Sequence, residues 1–194
     1  MENEVRYFDA SSIETRSEGD KMSVKGYAVI FGSPSKLIGG EFIEVIENRA
    51  FDGVDLSNVF MLYNHSINSI LGNTKSGTLS LRVDDKGLSF SAELPNTQLG
   101  RDTFELVKRS DVSGVSFGFI VDRDSWNTRV SPELRTIKKF KEVREISITP
   151  YPAYEKTTVS TRAVEFLGEC RECRANFNQI KMSDEVKKLI KEVS

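Results

Sequence analysis

The sequence predicts a mainly β fold with a few helices, of the α+β class. Between residues 22 and 94, short runs of alternating apolar and polar residues are separated by turn-forming Gly, Asp and Asn. One stretch, residues 96–109, instead has its apolar residues at helical spacing. With 194 residues, 38% of them hydrophobic, and twelve Phe, the chain can form one medium-sized domain with a real core and an appendage.

The first half of the chain is predicted to be an antiparallel meander. Strands are expected over residues 5–8, 22–31, 41–46, 59–63, 78–83 and 88–94, with a polar loop or hairpin tip at 10–21 and a surface loop at 32–40. A helical turn or two, ended by Gly53, is expected over residues 47–54. Residues 84–87 are predicted to be a hairpin turn, because Gly87 tolerates the positive φ that such turns need.

The second half begins with the helix and continues into two strands. Asn96 or Thr97 can cap the helix, and Lys108 and Arg109 suit the negative end of its dipole. Strands are expected over residues 111–121 and 134–148, a loop or exposed hairpin over 122–132, and prolines at 150 and 152 that end the sheet.

The charged C-terminal residues are predicted to be a tail. We divide the chain into a domain of residues 1–162 and a charged tail of residues 163–194, flexible or helical. The tail has few aromatic residues and is expected to add little to the core. A capped amphipathic helix is expected over residues 183–193, with four apolar residues on one side (Val186, Leu189, Ile190 and Val193).

Composition argues against several classes of function. The formal net charge is −2, which gives no basic surface for nucleic acid, and no apolar run approaches membrane-spanning length. The charged N-terminus lacks the apolar core of a secretory signal. Cys170 and Cys173 cannot build a disulfide framework, which favours a cytoplasmic type of compartment. The two cysteines have the spacing of one ligand pair of a zinc site, but the chain has no second pair. We therefore expect no metal and no cofactor.

The strand over residues 111–121 carries the candidate nucleophile. Alternation divides its residues between two faces, with Val115, Phe117, Phe119 and Val121 on one and Gly114, Ser116 and Gly118 on the other. Because its neighbours on that face are glycines without side chains, Ser116 is expected to be accessible to a second polypeptide chain. A nucleophile that attacks a peptide bond needs this access. The alternative is a sheet strand whose glycines only ease close packing, and the G-x-S-x-G pattern alone does not separate the two.

A serine hydroxyl needs a base, and His65 is the only histidine in the chain. A lone histidine after an apolar strand can equally be a surface residue. Glu145, with Glu142 behind it, is the candidate for orienting the imidazole, and a solvated carboxylate is the alternative. An α/β-hydrolase is excluded, because His65 precedes Ser116 and the serine is followed by a continuing strand rather than a helix.

Four motifs occur in an order that is typical of a known family. They are Tyr-Asn-His-Ser at 63–66, Leu-Gly-Asn-Thr-Lys-Ser-Gly-Thr-Leu at 71–79, Asp-Val-Ser-Gly-Val-Ser-Phe-Gly-Phe at 111–119 and Glu-Ile-Ser-Ile-Thr-Pro-Tyr-Pro-Ala-Tyr at 145–154. Residues 26–31 and 44–52 resemble the opening segments of the same family. From about residue 5 to residue 161, the chain resembles the prohead proteases of tailed bacteriophages.

The resemblance implies a procapsid maturation serine endopeptidase with an antiparallel β-barrel, distantly similar to herpesvirus assemblin. The histidine of the family corresponds to His65 and its serine to Ser116, with Ser113 as a nearby rival that the strand alternation disfavours. Assemblin-like enzymes use a second histidine as the third member. This chain has none, so Glu145 is expected in that place. Backbone N–H groups near Ser116 are the expected oxyanion donors.

The resemblance also implies the partners. The substrates are expected to be scaffold segments or the N-terminal part of the major capsid protein, and the protease itself, inside the procapsid in the host cytoplasm. The tail is a candidate self-cleavage or scaffold-binding segment, and a homodimer is an open alternative to a monomer. We expect no nucleic acid or membrane partner. The alternative function is a catalytically inert capsid-assembly or scaffold-binding module on the same fold.

Overall fold

The computed structural model describes residues 4–9, 13–18, 21–150 and 184–193. Within these ranges the strands are β1 (Glu4–Asp9), β2 (Glu14–Glu18), β3 (Lys21–Ile30), β4 (Phe42–Ile46), β5 (Phe60–Tyr63), β6 (Ser66–Asn73), β7 (Leu79–Val83), β8 (Gly87–Leu94), β9 (Gly114–Asn127) and β10 (Glu133–Thr149). The helices are α1 (Gln98–Lys108) and α2 (Asp184–Val193). The predicted mainly β composition of the α+β class is therefore confirmed.

The described strands form two sheets rather than a closed barrel. The larger sheet has the order β1-β9-β10-β5-β6, with β4 also paired to β10, and the smaller has the order β2-β3-β8-β7. Strand β10 is antiparallel to β9 but parallel to β4 and β5, so the larger sheet is mixed. The predicted antiparallel barrel is not what the described residues form, and the likeness to assemblin stays a prediction.

Within residues 22–94, consecutive strands pair as a meander requires in two hairpins, β5–β6 and β7–β8, but the longer-range pairing differs from the prediction. Strands β7 and β8 pair around the predicted turn, where a Cβ on Gly87 would lie 1.9 Å from the carbonyl oxygen of Val29. Strand β3 pairs with β8 instead of β4, and residues 47–54 form successive turns instead of a helix. Local turn signals fix only neighbouring strands, whereas distant pairing depends on which apolar faces are buried together.

The main core lies between the two sheets and fixes the orientation of β9. Its buried residues come from both sheets and from α1. Val115, Phe117 and Phe119 are fully buried there, as the alternation predicts, and the rings of Phe117 and Phe119 stack with centroids 4.5 Å apart. Because successive side chains of a strand alternate, Ser116 and Gly118 point to the opposite face.

The two longer predicted helices are both present. Thr97 caps α1, and its hydroxyl accepts a hydrogen bond from the backbone N–H of Gly100 at 3.2 Å. Val186 and Ile190 of α2 are buried in a second, smaller cluster with residues of β4 and β10. The expectation that the tail adds little to the core is therefore wrong for this helix.

Other predictions about the tail lie outside the described residues. Cys170, Cys173 and the boundary at residues 162 and 163 belong to the undescribed range 151–183, so the division into domain and tail stays a prediction. Neither α1 nor α2 is long and apolar enough to cross a membrane.

A network of charged side chains attaches β1 to the rest of the larger sheet. The guanidinium of Arg6 donates to both carboxylate oxygens of Glu44, at 2.9 and 3.1 Å. Arg135 donates to Glu44 at 3.0 Å and to both oxygens of Glu4. Burial raises the pKa of the Glu44 carboxyl. Burial also acts to raise the pKa of Glu4, but the hydrogen bond from Arg135 and the charge of Arg6 outweigh it and lower that pKa.

Candidate active site

His65 lies in the two-residue turn that joins β5 to β6. Tyr63 pairs with Ser66, so Asn64 and His65 are the central residues of the turn, with φ of 51° and 60°. Positive φ at both positions is typical of a type I′ turn, which Asn tolerates and which favours Gly at the second position. A non-glycine residue in this conformation costs roughly 1–3 kcal/mol and often marks a functional site. The sequence analysis missed this signal.

The imidazole of His65 contacts the carboxylate of Glu145. Nδ1 of His65 lies 2.7 Å from Oε1 of Glu145, and the two side chains are only 20% and 13% exposed. An ionised carboxylate can only accept a hydrogen bond, so Nδ1 of His65 is the donor in this contact. The structure therefore brings together the two side chains that the sequence analysis paired. Glu142 instead bonds the exposed side chain of Arg144.

Ser147 joins the histidine turn to the carboxylate, and the sequence analysis did not single it out. Its Oγ donates to Oε2 of Glu145 at 2.5 Å and accepts the backbone N–H of His65 at 3.2 Å. The side chain is fully buried. One hydroxyl thus holds both the backbone of His65 and the carboxylate of Glu145. The Glu-x-Ser spacing on one strand, which places both residues on the same face, was the available signal.

Ser116 lies on the strand next to this group, on the same face of the sheet. It pairs directly with Ser147, and Gly118 pairs with Glu145. Side chains at directly opposed positions have Cβ atoms about 4.5–5.5 Å apart. A Cβ on Gly118 would lie 2.9 Å from Oε1 of Glu145. Gly118 therefore makes room for the carboxylate, a different purpose from the opening for substrate that the sequence suggested.

The hydroxyl of Ser116 is not open to solvent in this structure. The residue is fully buried, and its Oγ donates to the carbonyl oxygen of Arg6 on β1 at 2.8 Å. Ser113, its rival, is exposed and precedes the start of β9. Ser116 is thus placed by its pairing with Ser147, whose hydroxyl bonds both Glu145 and the turn of His65, and these four residues have the composition of a serine hydrolase centre. Among the described residues, no group of three or more His, Cys, Asp and Glu side chains is arranged to hold a metal.

Comparison with known proteins gives two matches. The family described as caudovirus prohead serine protease matches residues 11–168. The prohead protease of Enterobacteria phage HK97 is 26% identical over 159 residues, which cover 79% of this chain and 65% of the phage protein. The chain therefore spans less than two thirds of the length of that relative. No solved structure matches the chain.

Proposed function

Because the chain belongs to the caudovirus prohead serine protease family, we propose that it is a serine endopeptidase that cuts capsid or scaffold proteins during procapsid maturation. The observation that carries the proposal is the 2.7 Å contact between Nδ1 of His65 and Oε1 of Glu145, because Glu145 lies on β10, the strand that pairs with the Ser116 strand β9. The relative from phage HK97 bears the name prohead protease, which supports the same reaction class.

The proposed reaction is acyl transfer through Ser116. Nε2 of His65 takes the hydroxyl proton as Oγ attacks the carbonyl carbon of the scissile bond, and a tetrahedral oxyanion forms. Its collapse breaks the C–N bond, and His65 passes the proton to the leaving amine. Water then attacks the resulting ester with His65 as base, which releases the carboxyl product and restores the hydroxyl. Glu145 keeps its hydrogen bond to Nδ1 and stabilises the imidazolium throughout.

The finer parts of the proposal concern partners and place. We propose that the substrates are scaffold segments, the N-terminal part of the major capsid protein and the chain itself. The chain would act inside the procapsid in the host cytoplasm, as a monomer or a homodimer. Backbone N–H groups near Ser116 would bind the oxyanion. Residues 163–194 would be a self-cleavage or scaffold-binding tail, and the fold would be a distant relative of assemblin.

Purified variants acting on the major capsid protein of the same phage test the proposal. Ser116→Ala and His65→Ala should each lower the cleavage rate by roughly 10⁴- to 10⁶-fold, because removal of one member disables the whole catalytic unit. Ser113→Ala is the matched control and should cleave normally, since Ser113 is exposed and outside β9. Normal cleavage by Ser116→Ala, or loss of cleavage only in Ser113→Ala, would reject the assignment.

One observation favours a second candidate, a catalytically inert capsid-assembly module. The buried hydroxyl of Ser116 donates its hydrogen bond to the carbonyl oxygen of Arg6 rather than to a base. If this arrangement never changed, the chain would only bind capsid or scaffold protein. A wild-type chain that binds capsid protein and leaves it intact under all assembly conditions would support this candidate.

A further inference from the structure

Strand β1 holds the candidate nucleophile in an unreactive state. A serine hydroxyl has a single proton. Oγ of Ser116 donates it to the carbonyl oxygen of Arg6 at 2.8 Å, so the hydroxyl cannot at the same time donate to His65. General base catalysis needs that second hydrogen bond. The contact with β1 must therefore break before Ser116 can act.

Strand β1 contacts β9 in the way that we expect of a bound peptide substrate. Strand β1 is extended and antiparallel to β9, with Arg6 opposite Phe117 and Tyr7 opposite Ser116. Among the strands of the described residues it is the end strand of its sheet, with β9 as its one neighbour. Adding an extended segment to a sheet edge is a common mode of peptide recognition. A peptide in this place would present a backbone carbonyl to Ser116, where the carbonyl of Arg6 now lies.

We propose that β1 occupies the position beside β9 in which a substrate binds. An extended substrate segment with Arg or Lys immediately before the scissile bond displaces β1 and takes its place. The inference rests on the proposed function of Ser116. It assigns the substrate-binding surface to the edge of β9 and makes release of β1 the activating step.

The expectation of Arg or Lys in the substrate follows from the carboxylate of Glu44, which Arg6 binds. The side chain of Glu44 is almost completely buried and bonds the guanidinium of Arg6 through both oxygens. Arg135 also bonds Glu44 but belongs to β10, so it stays when β1 leaves. If Arg6 leaves with β1, Glu44 keeps its bond to Arg135 but loses both hydrogen bonds from Arg6, which destabilises this buried carboxylate unless another basic group restores them. Arg6 supplies the carbonyl that meets Ser116, so the replacing residue is the one that precedes the scissile bond.

A reversible disulfide between β1 and β9 tests the release of β1. Asp9 pairs with Gly114, and directly opposed residues of antiparallel strands have Cα atoms close enough for a disulfide. The variant carries Asp9→Cys and Gly114→Cys, with Cys170→Ser and Cys173→Ser to remove other thiols. Its oxidised and reduced forms are compared for cleavage of the purified major capsid protein. The same variant with Ser116→Ala measures binding alone.

A second variant loosens β1 without any cross-link. Glu4→Ala removes both hydrogen bonds from Arg135 to β1. Glu14→Ala is the matched control, because it breaks an exposed ion pair between β2 and Lys25. Apparent affinity scales with the fraction of molecules in which the edge of β9 is free. We expect Glu4→Ala to bind the capsid protein about fivefold more tightly and Glu14→Ala to bind as the wild type does.

The outcomes separate this inference from the proposed function. We expect the oxidised form to bind and cleave at least about tenfold less than the reduced form, with Lys or Arg before each cut in the products. Equal binding by both redox forms, no binding by either, or no gain in Glu4→Ala would overturn the inference even if cleavage occurs. An acidic or apolar residue before the cut would overturn the role of Glu44. Redox-dependent binding without any cleavage would support the exchange of β1 for another segment at the edge of β9 and would reject the protease, and with it the scissile bond.

Discussion

Replacing His65 by glycine should leave the fold more stable than replacing it by alanine. Both variants lose the hydrogen bond to Glu145, so that loss cancels in the comparison. What remains is the backbone, which has a φ of 60° at this residue. A residue with a Cβ pays about 1–2 kcal/mol in the left-handed region. The greater conformational freedom of glycine in the unfolded chain reduces this advantage in the free energy of unfolding by about 0.4–1 kcal/mol. The net advantage of glycine is therefore about 1 kcal/mol.

Urea unfolding followed by circular dichroism measures this difference as a shift of midpoint at constant slope. In thermal unfolding it corresponds to about 2–4 °C for a chain of this size. Asn68 lies on β6 and is exposed, and it has no positive φ, so the same pair of substitutions there should favour alanine. Both His65 variants should be inactive. If His65→Ala were as stable as His65→Gly, the turn that aims the imidazole would not exist in solution.

Two further substitutions test the positioning of Glu145. Gly118→Ala places a Cβ 2.9 Å from Oε1 of Glu145, so the carboxylate must move away from His65, and we expect at least about a tenfold loss of cleavage. Gly72→Ala, whose Cβ would lie 3.3 Å from a threonine hydroxyl outside the site, should cleave normally. Ser147→Ala should lower the free energy of unfolding by about 1–3 kcal/mol and also lower kcat, because two buried partners lose their bonds. Ser89→Ala, which removes an exposed hydrogen bond on β8, should change neither, and equal effects at both serines would contradict the assignment.

Elements whose signals are local could be predicted from the sequence. The β7–β8 hairpin and α1 with its Thr97 cap follow from residues next to them in the chain. The parallel pairing of β10 with β4 and β5 could not be predicted, because it joins segments that are far apart in sequence and is chosen by burial. The same holds for α2, whose apolar face finds a partner on β4 and β10 rather than on its own neighbours.

The side chains of the candidate site could be selected from the sequence, but their arrangement could not. His65 is conspicuous as the only histidine, and strand alternation places Ser116 and Glu145 opposite the core faces of their strands. The bond from Ser116 to Arg6 and the role of Ser147 depend on the register of three adjacent strands, which the sequence does not specify. The turn strain at His65 is likewise a property of the backbone.

Labelling with a fluorophosphonate tests the central claim most directly, because such reagents modify a serine hydroxyl that a base has activated. Mass spectrometry of digested protein identifies the labelled residue in the wild type, Glu4→Ala and His65→Ala. The account predicts a label on Ser116 in the wild type, faster labelling in Glu4→Ala and none in His65→Ala. A label on Ser113 or Ser147, or equal labelling of Ser116 without His65, would contradict it.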